Sequence, residues 1–243
     1  MCTVTYIPLK DGFVLTSSRD EKVHRPTLKP KAYLHHKALL VYPKDEIANG
    51  TLIAASNKNR VACLINGAFE NHKKKDQYTK SRGQILIDCF EYNSFEEALE
   101  NLELASVEPF TLLLIDNSKE IIFYQLVWDG VRKHIQLKPN HVPQIWSSAT
   151  LYSQQNRETR KRWFDNWIEN HKDNIDFDIL NFHTTKHSDI ESNEIIMKRE
   201  NDLQTVSVTQ IILNAQYESF SYHDLVDENK TTLNLTDLVC TQV

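Results

Sequence analysis

The first 21 residues read MCTVTYIPLKDGFVLTSSRDE, and they decide the fold. Residues Thr3 to Ile7 alternate as Thr-Val-Thr-Tyr-Ile, the period of a strand. Asp11-Gly12 is a hairpin turn signal, and Phe13 to Ser17 is a second strand-like run. Residues 2 to 17 therefore read as a β-hairpin that opens the chain. The two arms are of similar length, so the hairpin brings Arg19 and Asp20 back beside Cys2.

That return makes a candidate site. Methionine aminopeptidases remove the initiator when the second residue is small, and Cys2 qualifies. The product carries a thiol and a free α-amine on one residue. The amine has an ordinary pKa of about 8, so it is a base near neutrality. A thiol is intrinsically nucleophilic and gains from an adjacent base. Cys2 is the candidate nucleophile. A carboxylate at Asp20 suits holding or orienting the amine. A guanidinium at Arg19 suits lowering the thiol pKa or binding a substrate carboxylate. An isolated cysteine at position 2, or a surface Arg-Asp pair, would carry no such meaning.

Composition sets the class. The chain has 243 residues, 40% hydrophobic and 25% charged, which suits a globular protein with a packed core. A net charge of −5 gives no cationic field for nucleic acid. No apolar run is long enough to span a bilayer, so no membrane insertion is expected. The N-terminus lacks a basic start and a long apolar run, and the expected location is cytoplasmic. The cysteines stand at 2, 63, 89 and 240 without a CxxC pair, so no metal site is expected. Cys63 and Cys89 lie in apolar runs and read as buried small hydrophobes. With only 5 glycines there is no GxGxxG and no P-loop.

Hairpins recur along the chain. Residues 22 to 37 are basic, contain two prolines and read as loop. Leu39 to Tyr42 is a short strand. Thr51 to Ala55 and Arg60 to Ile65 form a second hairpin around Asn57-Lys58-Asn59. Phe110 to Asp116 and Ile121 to Trp128 form a third, continued by Val131 to Leu137. Gln144 to Ser148 is strand-like. Thr205 to Ala215 and Tyr217 to His223 close the set. Ser94, with Glu97 three residues on, caps a helix over Phe95 to Leu104. Residues 154 to 171 are helical with Trp163, Phe164 and Trp167 on one face, and Phe177 to His183 suits a further short helix. Ile85-Leu86-Ile87 fits either helix or strand. The sum is one α+β layered domain over residues 1 to 243, with a polar tail from about 226.

The motifs MCTVTYIP and Ser18-Arg19-Asp20-Glu21 resemble the opening of the NRDE family, which includes the transport and Golgi organisation protein 2 group. Ser18 departs from the Asn that gives that family its name. Two more stretches carry the resemblance. One joins Asn49-Gly50-Thr51-Leu52 to Val61-Ala62-Cys63-Leu64-Ile65-Asn66-Gly67. The other is Trp146-Ser147-Ser148-Ala149-Thr150-Leu151-Tyr152. The resemblance covers roughly residues 1 to 225 and is strongest in the first 70.

It implies an αββα sandwich, two mostly antiparallel sheets between helical layers, as in N-terminal-nucleophile hydrolases. It also implies kinship with the cholylglycine hydrolase, penicillin V acylase and acid ceramidase group, which cut linear amides. On that pattern Cys2 matches the nucleophile, Arg19 and Asp20 the Arg-Asp pair, and Asn66 an oxyanion-hole donor. A second acylase Asn falls near Ser147-Ser148, where a hydroxyl donates one hydrogen bond with shorter reach. Arg199 is the candidate for a late substrate-binding arginine. The expected partner is a small-molecule ligand or amide substrate. Animal relatives in the family are linked to haem trafficking, so a non-catalytic haem or small-ligand carrier is the alternative; no other cofactor is implied. His35, His36, His72, His183 and His187 show no metal-ligand spacing and read as surface or loop residues. Trp163, Phe164 and Trp167 read as core or pocket wall.

Overall fold

A computed structural model describes residues 3–171 and 175–237, the side chains of 175–177 excepted. The opening hairpin is β1 (Thr3–Leu9) and β2 (Gly12–Lys22). Leu9 pairs with Gly12 across the Lys10-Asp11 turn, and the register runs back to Thr3 opposite Ser18. Strand β2 also pairs along its length with β11 (Leu203–Asn214), which continues into β12 (Glu218–Asp224) and β13 (Asn229–Asn234). With β10 (Gln144–Ser147) outside β1, these form a six-stranded antiparallel sheet in the order β10-β1-β2-β11-β12-β13.

The second sheet is a seven-stranded antiparallel ribbon in chain order. It contains β3 (Thr27–Leu34), β4 (Leu39–Asp45), β5 (Ile53–Ser56), β6 (Arg60–Asn66), β7 (Phe110–Asp116), β8 (Ile122–Trp128) and β9 (Lys133–Leu137). Period-2 alternation sorts its apolar residues to two faces. Val61, Cys63 and Ile65 of β6 meet Val4, Tyr6, Phe13 and Leu15 of the other sheet. Ala62 and Leu64 face the outer helices α1 (Arg82–Asp88) and α2 (Phe95–Asn101). On the far side, Ile7 and Val14 pack against Phe164 and Trp167 of α3 (Gln154–Asn170) and Ile179 and Phe182 of α4 (Ile175–Thr184). Three apolar layers thus make the αββα sandwich. No helix among the described residues is long and apolar enough to cross a membrane.

Local signals explain most element ends. Ser94 caps α2 by accepting the Glu97 N–H at 3.0 Å, and the Glu97 carboxylate accepts the Asn93 N–H at 2.8 Å. Ile85 to Ile87 resolve as helix behind a Ser81 cap. Three readings change. Residues 27–34, read as loop, form edge strand β3. Its register breaks between Leu28 and Lys31, the interval that holds Pro30. An edge accommodates proline and lysine because one side of the strand needs no partner. Residues 229–234, within the stretch read as polar tail, form β13, an edge strand of the six-stranded sheet. His183 is a core residue, with no exposed surface.

Gly12 is fixed by the close approach of β11. A Cβ there would sit 1.8 Å from the Leu213 carbonyl oxygen. Gly12→Ala must therefore push β2 and β11 apart, an overpacking cost of about 1–3 kcal/mol. A urea titration should show a lower midpoint at unchanged slope.

Candidate active site

The strand register builds the site. Thr3 lies between Ser18 on β2 and Ser147 on β10. Cys2 and Met1 lie outside the described residues, so the site is defined here by what surrounds Thr3. Alternation then separates Arg19 from Asp20. Arg19 points toward the second sheet and Asp20 toward the α3–α4 layer. The two are buried neighbours on one strand but belong to different networks.

Arg19 is only 8% exposed. Its Nη2 donates to Asp45 Oδ2 at 3.0 Å, at the end of β4. Arg25 joins the same carboxylate at 2.8 Å and also pairs with Glu21 at 3.4 Å. Asp45 Oδ1 accepts the backbone N–H groups of Ile47 and Ala48. Burial pushes the Asp45 carboxyl up, but the Ala48 N–H and the two guanidinium groups outweigh it and hold the pKa below 3.8. Arg19 Nη1 is buried and has no hydrogen-bond partner among the described residues. It is a donor left for a ligand.

Asp20 is 4% exposed. Its Oδ2 accepts from the Tyr152 hydroxyl at 2.7 Å and its Oδ1 from Thr205 Oγ1 at 2.6 Å. Tyr152 lies in the loop after β10, and its ring face carries the Arg160 guanidinium at 3.5 Å. Arg160, on α3, has no exposed surface and donates to Thr3 Oγ1.

His183 bridges the two strands of the opening hairpin. Its Nε2 meets Thr5 Oγ1 at 2.8 Å and its Nδ1 meets Ser18 Oγ at 2.7 Å. Burial, with help from nearby His187 and Arg160, lowers its pKa from 6.5 to about 3. The ring is therefore neutral and serves as donor to one hydroxyl and acceptor from the other.

Asn66 ends β6 and lines the cleft with Arg19 and Asp20. Its main-chain carbonyl accepts from Ser148 Oγ at 2.8 Å. Ser148 also bonds Thr150 at 2.9 Å. Gly67 follows at φ +90, and a Cβ there would meet Thr150 Cγ2 at 2.9 Å. Ser147 holds the β10 side of Thr3. Arg199 stands apart from this group. It donates to the carbonyls of Ser192 and Leu151, each at 3.0 Å, and lies 5.1 Å from the Tyr152 ring centre. The site thus gathers Arg19, Asp20, Asn66, Ser147 and Ser148 near Thr3, while Arg199 braces the 151–152 loop.

A cleft of about 660 Å³ opens over Arg19, Asp20 and Asn66. Its walls mix charged side chains with apolar surface in about equal measure. Arg82 pairs with Glu108 at 3.1 Å and His72 joins that carboxylate at 3.2 Å. Lys74, Lys80, Arg25 and Asp45 also line it.

Penicillin V acylase from Agrobacterium tumefaciens superposes with a TM-score of 0.60 at 13% identity, over 98% of this chain and 87% of that one. A variant of conjugated bile acid hydrolase from Clostridium perfringens gives 0.61 at 11% identity, over 98% and 94%. The Caenorhabditis elegans N-acylethanolamine-hydrolyzing acid amidase ortholog gives 0.56 at 11%, over 87% and 92%. At such identities the likeness shows the fold, which is that of the N-terminal-nucleophile hydrolases. No curated protein matches the chain in sequence. The Transport and Golgi organisation 2 family model matches residues 1–229, and the chain belongs to that family.

Sequence reading missed Tyr152 as a partner of Asp20, and it missed Asp45, Arg160 and His183. Arg160 had a visible signal. It shares an i, i+4, i+7 stripe with Phe164 and Trp167, the buried face of α3. A cation on an apolar stripe is a buried cation.

Neutral His183 has a consequence in acid. Its pKa is 6.5 unfolded and about 3 folded, so the unfolded chain binds the extra proton between those values. Stability is fully present above pH 6.5 and falls as pH drops through that window, by at most about 1.4 kcal/mol per pH unit. Urea midpoints measured from pH 7 to about 4 should show this slope, and His183→Gln should flatten it.

Proposed function

We propose that the protein is a cysteine N-terminal-nucleophile hydrolase that cleaves a linear, non-peptide amide of polar character. One observation carries the reading: on this fold, a register-fixed strand pair sets buried Arg19 and Asp20 beside Thr3, in the lining of a cleft.

After removal of Met1, the Cys2 α-amine takes the thiol proton as the sulfur attacks the amide carbonyl. The tetrahedral oxyanion is stabilised by the Asn66 carboxamide and a backbone N–H. The amine then passes the proton to the departing nitrogen, leaving an acyl thioester. Water attacks that thioester, frees the acid and restores the thiol. Asp20 orients the α-amine from the helix side. Arg19, through Nη1, binds a polar group of the substrate from the cleft side. Ser147 and Ser148 fix the β10 edge, and Ser148 holds the Asn66 main chain. Arg199 keeps the 151–152 loop in place.

The cleft chemistry supports a polar substrate. The ion pairs Arg19–Asp45 and Arg82–Glu108 in its lining favour a substrate with a group that hydrogen bonds.

Selective chemistry at Cys2 tests the reading. Cys63 and Cys89 have no exposed surface, and burial pushes the Cys63 thiol up to about 12 and Cys89 up as well. Iodoacetamide at neutral pH should therefore label Cys2 far faster than either. Intact mass should show Met1 absent. Cys2→Ala should lower amide turnover by about a thousandfold or more. Retained Met1, or equal labelling of Cys2, Cys63 and Cys89, would count against the reading. A Soret shift on haem titration that survives Cys2→Ala, with no amide cleaved, would point to a carrier.

A further inference from the structure

Arg160 is a fully buried guanidinium. No carboxylate lies within ion-pairing distance of it among the described residues. Its partners are neutral. Nη1 donates to Thr3 Oγ1, Nη2 to the Glu194 carbonyl, and Nε to the Asn193 carbonyl at 3.2 Å. Its plane covers the Tyr152 ring at 3.5 Å. A charge held in such surroundings is strongly unfavourable unless every donor is met. Filling the space between helix and sheet does not require it. Phe164 and Trp167, on the same stripe, do that with apolar side chains. The charge itself therefore calls for a use.

Its two attachments supply one. Thr3 follows Cys2 directly in the chain. Tyr152, on the other side, donates its hydroxyl to Asp20 at 2.7 Å. One cation thus contacts the residue next to the nucleophile and, through one ring, the carboxylate assigned to the α-amine. A fixed positive charge in a dry site favours thiolate over thiol and neutral amine over ammonium. Those are the forms an N-terminal nucleophile uses.

We propose that Arg160 is a positioning residue of the site: from α3 it fixes Thr3 and the Tyr152–Asp20 pair, and its charge activates Cys2. This rests on Cys2 being the nucleophile. Other ionisable groups face the same space. Asp20 comes from β2 and opposes the effect of Arg160. His183 comes from α4 and is neutral, as its low pKa requires. Glu194 turns its carboxylate to the backbone N–H groups of His187 and Ser188. Arg199 lies on the far side of Tyr152. All of these are common to the parent and an Arg160 variant, so a difference between the two reports Arg160.

The test is the pH profile of Cys2 alkylation by iodoacetamide, read by mass spectrometry on the folded full chain. Arg160→Met should raise the midpoint by about one pH unit, slowing labelling at neutral pH about tenfold. Arg160→Lys should keep most of the parent midpoint. A folded Arg160→Met protein with an unmoved midpoint overturns the proposal, even if its thermal stability falls. If that variant does not fold, Thr3→Val decides: it removes only the hydroxyl that receives Nη1 and should slow labelling about threefold or more. An unchanged rate there overturns the proposal too. A parent Cys2 no faster than an ordinary exposed thiol sinks both this inference and the hydrolase reading. A fast parent thiol with an unmoved variant midpoint sinks this inference alone.

Discussion

The pairing of Thr3 with Ser18 on one side and Ser147 on the other is the constraint on which the site depends. An antiparallel register is discrete, and a slip of one residue would turn every side chain to the opposite face. Strand β2 is held against slipping from both edges, by β1 and by β11. Gly12 lets β11 approach closely enough to lock that register at the turn end. At the other end, His183 ties Thr5 of β1 to Ser18 of β2 through the helix layer. The position next to Cys2 is thus fixed by backbone bonds, by a glycine contact and by a buried neutral imidazole.

Adjacent residues on that strand then serve opposite sides of the sheet. Arg19 joins Asp45 and Arg25 facing the cleft, while Asp20 joins Tyr152 and Thr205 facing α3. Direct Arg19–Asp20 neutralisation is not how either is satisfied. Each is buried with its own partners, which is the condition for keeping a charged group out of water. The separation leaves Arg19 Nη1 without a partner among the described residues. It also puts two unlike networks on one strand, the Asp45 and Arg25 ion pairs around Arg19 and, on the helix side, the Tyr152 and Thr205 hydroxyls around Asp20. Arg160 and neutral His183 belong to the second.

Several of these features were legible in the sequence. The alternation of Thr3 to Ile7 and the Asp11-Gly12 turn predict the hairpin that is observed. The Ser94–Glu97 spacing predicts the α2 cap, and its side chains meet as the motif requires. Cys63 and Cys89 read as buried and are. Residues 27–34 were not legible, because lysines and a proline are compatible with both a loop and an edge strand. His183 was not legible either. A histidine near a helix end carries no mark that two hydroxyls, 178 and 165 residues away, will bracket it.

What the sequence determined by itself is local: where strands turn, where helices are capped, which residues alternate to the core, and that Arg19-Asp20 returns toward the chain start. Those follow from periods of two and 3.6 residues and from turn chemistry, which act over a few positions. Only the tertiary structure decided the partners of the charges. Asp45 reaches Arg19 because β4 lies across the sheet interface, and Arg160 reaches Thr3 across 157 residues because α3 packs on β1. Hydrogen bonding and desolvation act through space, so they become readable only once distant elements have been brought together.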